Sequence, residues 1–151
     1  MVVLLEPWFS NRTRSIIKSP KLYFSDTGLL CALLNIRTES VMLESPLSGA
    51  IWETFVFQRL RINERYGYGG GLYFWRDRTR ELDFVIDCGG RLDLVEAKFS
   101  ELPADSDATN LRFVRDIVGA KKAKRMVVAC RAPNAYPLSD GARAESPLEW
   151  I

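Results

Sequence analysis

The chain has 151 residues, of which 47% are hydrophobic and 26% are charged. These proportions predict one folded domain with a single core, and they exclude a disordered or membrane-embedded chain. The net charge of +2 is too small to predict a nucleic-acid partner by itself, and no apolar run is long enough to span a bilayer.

The sequence contains no histidine, which narrows the possible chemistry. Serine–histidine triads, histidine acid–base catalysis and histidine-bearing metal sites are therefore excluded within this chain. The three cysteines have no CxxC spacing, so we expect neither a zinc site nor a disulfide framework, and a cytoplasmic location is predicted. Any catalysis has to rest on carboxylates, lysine and a hard cation.

The first part of the chain divides into two segments. Residues 1–17 are predicted to be a lead-in, the remnant of a preceding domain, and residues 18–151 to form the domain itself. In LYFSDTGLLCALLNI, a short extended piece precedes a helix that begins at about Asp26 or Thr27, because these residue types cap helices. The following TESVMLESP is polar and turn-like, and it ends at Pro46.

The longest predicted helix begins at Leu47, in LSGAIWETFVFQRLRINERYG. Glu53, Val56 and Leu60 share one stripe by the i, i+3, i+4 rule, so Glu53 is expected near the apolar face. The segment YGYGGG, residues 66–71, ends the helical pattern.

Three strand candidates follow, at residues 72–76, 81–87 and 91–99. Paired glycines in Cys88-Gly89-Gly90 predict a hairpin between the second and third strands. Beyond them, LRFVRDIVGA predicts a helix that ends at Gly119 or the lysine run, RMVVAC a buried strand, and LEWI a last strand. This order predicts an α/β fold with a mixed sheet, a central antiparallel hairpin and flanking helices.

Acidic residues and one lysine interrupt the apolar pattern of these strands. The hairpin could bring Asp83 beside Glu96 and Lys98, and Glu53 could join them from a helix that crosses the same face; the sequence does not fix the register. Close carboxylates in a partly buried site repel each other unless a cation lies between them. Carboxylate oxygens suit Mg²⁺ or Mn²⁺, and a lysine can stabilise developing negative charge. The cluster therefore predicts a site suited to phosphodiester hydrolysis.

Four segments, in this order, resemble a known family. They are KSPKLYFSDTGLL at 18–30, SGAIWETFVFQRL at 48–60, LYFWRDRTRELDFVI at 72–86 and LVEAKFS at 94–100. They resemble the PD-(D/E)XK superfamily, which has the restriction-endonuclease-like fold. More closely, they are similar to the uncharacterised domain that lies carboxy-terminal to AAA-type ATPase modules in many bacterial and archaeal proteins.

The resemblance implies a nuclease-like fold with an ATPase module in the same polypeptide. The function that we expect from it is a Mg²⁺-dependent (or Mn²⁺-dependent) phosphodiesterase that acts on DNA. The resemblance implies that Asp83 and Glu96 hold the metal ion, that Lys98 is the catalytic lysine and that Glu53 completes the carboxylate set. No membrane partner is expected.

Alternatives remain for the residues and for the function. Arg76 and Glu81 either support the site and face the substrate, as the resemblance implies, or form an ordinary cross-strand ion pair. Glu96 and Lys98, taken alone, are more simply a solvent-facing pair on an edge strand. The alternative function is a catalytically inactive domain of the same fold that binds nucleic acid or another protein.

Overall fold

The computed structural model describes residues 1–9, 19–63 and 70–150. These residues form four α-helices, eight strands and three short 3₁₀ turns. The helices are α1 (Thr27–Leu33), α2 (Glu39–Glu44), α3 (Ser48–Asn63) and α4 (Thr109–Val118). The strands are β1 (Val2–Leu5), β2 (Lys21–Phe24), β3 (Gly71–Arg76), β4 (Glu81–Asp87), β5 (Leu92–Ala97), β6 (Ala123–Ala129), β7 (Tyr136–Pro137) and β8 (Arg143–Glu145).

The main sheet has six strands in the order β3-β4-β5-β6-β8-β7. Strands β3, β4 and β5 pair antiparallel, whereas β5–β6 and β6–β8 pair parallel. The predicted α/β class, with a mixed sheet, an inner antiparallel hairpin and flanking helices, is confirmed. The hairpin turns where it was predicted, because Gly89 and Gly90 adopt φ values of 69° and 90° that other residues rarely accept.

The two faces of the main sheet carry separate cores. On one face, Leu111 and Val114 of α4 pack against sheet residues that include Leu82, Val85 and Leu94. On the other face, Val56 and Phe57 of α3 pack in a second cluster. Its other members include Tyr23, Phe74, Phe84 and Val95.

The two-stranded sheet of β1 and β2 joins the main sheet at its β3 edge. The backbone N–H of Trp8 donates to the carbonyl of Phe74 (2.6 Å), and the N–H of Phe74 donates to the carbonyl of Glu6 (3.1 Å). The ring of Tyr23, on β2, stacks on that of Phe57, with ring centroids 4.3 Å apart. This docking places β2 over the α3 face of the sheet, next to the strands that carry the acidic residues.

Short-range sequence signals predicted most boundaries of the helices and strands. The structure corrects three of these predictions. The side chain of Asp26 caps α1 by accepting from the N–H of Leu29 (2.8 Å), as predicted. However, residues 39–44 form α2 rather than a turn, because Thr38 caps this segment. Gly71 belongs to β3, while the rest of the predicted breaker up to residue 69 lies outside the described residues. The predicted strand LEWI is wrong, since Pro147–Glu149 forms a 3₁₀ turn.

Candidate functional site

A β-bulge in β4 sets the direction of Asp83. Tyr73 pairs with Val85 but Trp75 pairs with Leu82, so two residues of β4 lie opposite Phe74. Such an extra residue kinks the strand and re-aims its side chains. The bulge interrupts the usual alternation of side chains along β4, so Leu82 and Val85 both lie in the core under α4.

The bulge brings Asp83 into contact with both β2 and β5. Asp83 Oδ2 accepts a hydrogen bond from the backbone N–H of Ala97 (2.9 Å). Asp83 Oδ1 lies 3.4 Å from the Nζ atom of Lys21. Asp83 thus links a lysine on the small sheet to the strand that carries Glu96.

Lys21 lies at the centre of three carboxylates, in what we call the Lys21 cluster: Lys21, Tyr23, Glu53, Glu81 and Asp83. The Nζ atom of Lys21 lies 2.7 Å from Glu53 Oε1 and 2.6 Å from Glu81 Oε1, in addition to its contact with Asp83. The hydroxyl of Tyr23 donates to Glu53 Oε1 (2.5 Å). The Lys21 side chain is only 15% exposed, so these ion pairs are largely shielded from water.

The charges of the Lys21 cluster favour the protonated, charged form of Lys21. Burial alone would lower the pKa of Lys21, but the carboxylates of Glu53 and Asp83 raise it above its ordinary value. Burial and the charge of Glu53 raise the pKa of the Tyr23 phenol, so this hydroxyl remains a proton donor. Burial raises the pKa of Glu81, yet its bonds to Arg76 and Lys21 hold that pKa below the ordinary value.

Arg76 and Glu81 form the cross-strand ion pair that the sequence suggested. They are register partners on β3 and β4, and the guanidinium of Arg76 contacts Glu81 Oε2. Because Glu81 also contacts Lys21, this pair is an extension of the Lys21 cluster rather than an isolated surface feature.

A second group, the Glu96 cluster, consists of Glu96, Lys98 and Asn110. Glu96 is a buried residue of β5, with 5% of its surface exposed. Its Oε1 atom accepts from Asn110 Nδ2 on α4 (3.3 Å) and lies 3.2 Å from Lys98 Nζ. Its Oε2 atom is buried and has no hydrogen-bond partner among the described residues. The interpretation of Glu96 and Lys98 as a solvent-facing pair is therefore wrong for Glu96, whereas Lys98 keeps 38% of its side chain exposed.

The charges of Asp83 and Glu96 interact across the hairpin. The adjacent residues Phe84 and Val95 are register partners, which brings the two acids to neighbouring strand positions. Burial and the charge of Glu53 raise the pKa of Asp83 to about 6. Burial and the charge of Asp83 raise the pKa of Glu96 to about 7. Their surroundings disfavour the ionised form of both acids. Acids with such raised pKa values are common at functional sites.

The four predicted site residues thus fall into two linked groups. Glu53 and Asp83 contact one lysine, and Glu96 contacts another, with Asp83 close enough to influence Glu96. Across residues 1–9, 19–63 and 70–150, no group of three or more aspartate, glutamate or cysteine side chains is arranged to hold a metal ion by itself. Among the carboxylates of the described residues, Asp83 and Glu96 are the two with strongly raised pKa values.

Sequence reasoning missed Lys21, Tyr23 and Asn110. Lys21 looked like one of several basic residues near the amino terminus, and its partners lie 32 or more positions away. One signal was available: in the strand KLYF, Lys21 and Tyr23 alternate with Leu22 and Phe24 and so share a face. Nothing local indicated which carboxylates that face would meet.

These features define an α/β domain with a partly buried acidic site at its central hairpin. The chain belongs to the family described as a domain of unknown function, DUF4143, whose model matches residues 48–148, more than half of the chain. Residues 1–40 match a second family model, also described as a domain of unknown function, DUF8612. Lys21 and Tyr23 of the site lie in the range 1–40. Its acids Glu53, Asp83 and Glu96 lie in the range 48–148.

Two curated relatives are similar to most of this chain. They are uncharacterised proteins of Mycobacterium bovis and Mycobacterium tuberculosis, each 33% identical over 137 residues. The match covers 90% of this chain but 29% of each relative, so the chain spans less than a third of their length. No solved structure matches the chain significantly. Within the described ranges, no helix combines the length and apolar character needed to cross a membrane.

Proposed function

We propose that this chain is a nuclease-like domain of the PD-(D/E)XK type, which hydrolyses phosphodiester bonds of DNA with the help of Mg²⁺ or Mn²⁺. The observation that carries the proposal is the Glu96 carboxylate, which is buried beside Lys98 and has one oxygen without a hydrogen-bond partner in the described part of the chain. The neighbouring Asp83, with its raised pKa, supplies the second acid. Acid, acid and lysine thus lie around one hairpin, in the order that the resemblance implies.

The residues present fit a hard divalent cation. Mg²⁺ binds carboxylate oxygens and commonly uses only one or two of them, with waters in its other positions. A cation beside Asp83 and Glu96 would offset the burial and the carboxylate repulsion that raise both pKa values. It would also give a partner to Glu96 Oε2, which has none among the described residues. When bound there, the metal ion would polarise a phosphate oxygen and lower the pKa of a bound water.

Side chains of the chain itself would stabilise charge in the reaction and contact the DNA. Lys98, whose side chain is partly exposed and whose ammonium lies 3.2 Å from Glu96, is placed to stabilise negative charge that develops on the phosphate. Glu53, expected to complete the carboxylate set, would act indirectly, because its Oε1 atom already accepts from Lys21 and Tyr23. Arg78 and Arg80, exposed in the loop between β3 and β4, would contact the DNA backbone.

We also propose that this domain is part of a longer polypeptide and that it lies in the cytoplasm. The relatives extend well beyond the matched region, which leaves room for an AAA-type ATPase module in the same protein. Cys31 and Cys130 are free thiols, which suits a reducing cytoplasm.

A second candidate function is a binding platform that keeps the fold without cutting. The observation that favours it is Lys21, whose ammonium already contacts Glu53, Glu81 and Asp83. A cation that the chain itself supplies offsets part of the repulsion between these carboxylates without a metal ion. In this alternative the domain binds DNA or its own ATPase module.

Incubation of the full chain with linear, supercoiled and single-stranded DNA, with Mg²⁺, Mn²⁺ or EDTA, tests the proposal. We expect metal-dependent cleavage that falls at least about 100-fold in Asp83→Asn and Lys98→Gln, because each removes charge stabilisation at the site. The exposed Lys124→Gln, which leaves the site intact, is the matched control. Cleavage that persists in Asp83→Asn would refute the site. Retention of DNA in a gel-shift assay without cleavage would select the platform.

A further inference from the structure

A pocket of about 380 Å³, which we call the Trp52 pocket, lies between α1, α3 and the residues that directly follow β5 and β6. Its walls include three aromatic side chains, Trp52, Phe55 and Phe99. The ring centroids of Phe55 and Phe99 lie 5.3 and 5.9 Å from that of Trp52. All three side chains are only partly buried. They therefore form a continuous aromatic surface that a flat ligand can reach.

Arg131 is the one charged side chain among the described residues that line the Trp52 pocket. Its guanidinium lies over the ring of Phe99, 4.6 Å from the ring centroid. It also contacts Glu101 (2.9 Å), but the Glu101 side chain is 67% exposed, and ion pairs at the surface contribute little to stability. A phosphate group can replace Glu101 as the partner, because a guanidinium binds phosphate through two parallel hydrogen bonds.

Backbone contacts hold the Trp52 pocket next to the proposed active site. The indole N–H of Trp52 donates to the carbonyl of Ala129 (3.0 Å), and the backbone N–H of Lys98 donates to the same carbonyl (2.9 Å). Trp52 directly precedes Glu53 in the chain, and Phe99 directly follows Lys98. A DNA strand that reaches Lys98 with one phosphate would therefore bring a neighbouring nucleotide to the pocket.

We propose that the Trp52 pocket binds an unpaired nucleobase of a DNA strand, with the base stacked on Trp52 and Phe99 and its phosphate paired with Arg131. Aromatic side chains stack on the flat face of every base, and basic residues beside them contact the phosphates. A volume of 380 Å³ is within the range of about 300–1,000 Å³ that is typical of small-molecule pockets. The ligand thus combines a flat apolar group with a negative charge, as the walls of the pocket require.

The pocket also indicates which form of DNA the domain acts on. A base inside a duplex is covered by its stacked neighbours and by its pairing partner, so it has to leave the helix before it can enter a pocket. The choice of DNA as the ligand rests on the proposed function. The pocket adds that the strand is unpaired next to the phosphodiester bond that is cut.

Fluorescence anisotropy with a fluorescein-labelled oligothymidylate measures binding by the full chain in EDTA, where metal-dependent cleavage cannot occur. We expect the single strand to bind more tightly than the same strand paired with oligoadenylate. Phe99→Leu keeps an apolar side chain but removes the aromatic face, so it should weaken single-strand binding at least about fivefold. Phe9→Leu, at an exposed phenylalanine outside the pocket, is the matched control. Equal affinities of Phe99→Leu and the natural sequence, or tighter binding of the duplex, would overturn the proposal.

An abasic strand, which has phosphates but no bases, separates the two contacts. Arg131→Gln should weaken the binding of both the normal and the abasic strand and reduce the salt dependence, because one phosphate contact is lost. Arg143→Gln is the matched control, since Arg143 also contacts a glutamate (Glu145, 3.4 Å) but does not line the pocket. Phe99→Leu should leave the affinity for the abasic strand unchanged. An equal loss with both strands in Phe99→Leu would overturn base stacking.

A measurement on the natural sequence covers the case of a variant that fails to fold. A single strand that contains bromodeoxyuridine, irradiated in complex with the chain, should cross-link to Trp52, Phe55 or Phe99, as located by peptide mass spectrometry. Cross-links confined to other residues would overturn the proposal. Self-association that Phe99→Leu abolishes, without any binding of the single strand, would assign the pocket to a second copy of the chain and would also overturn it.

The binding and cleavage assays together separate this inference from the proposed function. Single-strand binding that depends on Phe99, without cleavage in Mg²⁺ or Mn²⁺, would support the pocket and refute the nuclease. Metal-dependent cleavage of DNA that is unchanged in Phe99→Leu would support the nuclease and overturn the pocket.

Discussion

The Lys21 cluster and the Glu96 cluster use the same kinds of residue but differ in how many partners their carboxylate oxygens have. In the Lys21 cluster, one ammonium contacts three carboxylates, and Tyr23 adds a hydrogen bond. In the Glu96 cluster, one oxygen of a more deeply buried acid contacts Lys98 and Asn110, while its other oxygen has no hydrogen-bond partner among the described residues. The first arrangement ties β2 to α3 and β4, whereas the second leaves an oxygen that a further cation or donor can contact. The partners of each oxygen, rather than the residue types, distinguish the two clusters.

The largest effect is expected from Lys21→Met, which keeps the bulk of the side chain and removes its charge. Breaking a buried ion pair typically costs about 3–5 kcal/mol, because the remaining charges stay buried without compensation. We expect a loss of this size in the free energy of unfolding, measured by urea denaturation without divalent ions. Lys124→Met, at an exposed lysine, should change it by less than about 0.5 kcal/mol. A loss in Lys21→Met no larger than in this control would contradict the structural role.

Tyr23→Phe should produce a smaller loss within the same cluster. The variant keeps the stack on Phe57 but removes the hydroxyl that donates to Glu53. A hydrogen bond to a charged group contributes about 1.5–3 kcal/mol to the free energy of unfolding. Tyr136→Phe is a matched control, since that hydroxyl donates to the neutral carbonyl of Pro103 (2.8 Å). Equal losses in the two variants would show that the charge of Glu53 adds nothing.

Glu96→Gln, in the Glu96 cluster, should raise the free energy of unfolding rather than lower it. The pKa of Glu96 is about 7 in the folded chain against an ordinary 4.5. Between these values the folded chain binds more protons than the unfolded chain, so stability falls as pH rises through this window. The variant cannot ionise at this position, so we expect it to be about 3 kcal/mol more stable at pH 7.5, with little difference near pH 4.5.

Urea denaturation at several pH values between 4.5 and 7.5 measures this effect. The slope of stability against pH should be shallower in Glu96→Gln, and a residual slope should remain because the pKa of Asp83 is also raised, to about 6. Identical slopes in the variant and the natural sequence would contradict the raised pKa of Glu96.

Much of the local structure could be predicted because its signals are short-range. The cap at Asp26, the glycine turn after Asp87 and the limits of β4 (Glu81–Asp87) follow from residues within a few positions of each other. The helix at Glu39–Glu44 was missed because its apolar residues stand in one short run without helical spacing, and none of its residues is buried. The bulge opposite Phe74 was missed because it depends on pairing between two strands.

The sequence by itself determined the α/β class, the central hairpin and the identity of the acids and the lysine around it. Only the tertiary structure decided how these residues are grouped. Lys21 reaches Glu53 and Asp83 across 32 and 62 positions of the chain, through a small sheet docked on β3. Contacts of this range depend on the packing of whole elements and leave no local pattern. The physical reason is that burial and charge balance belong to the assembled site, so they set the pKa values of Asp83 and Glu96 only once the fold is complete.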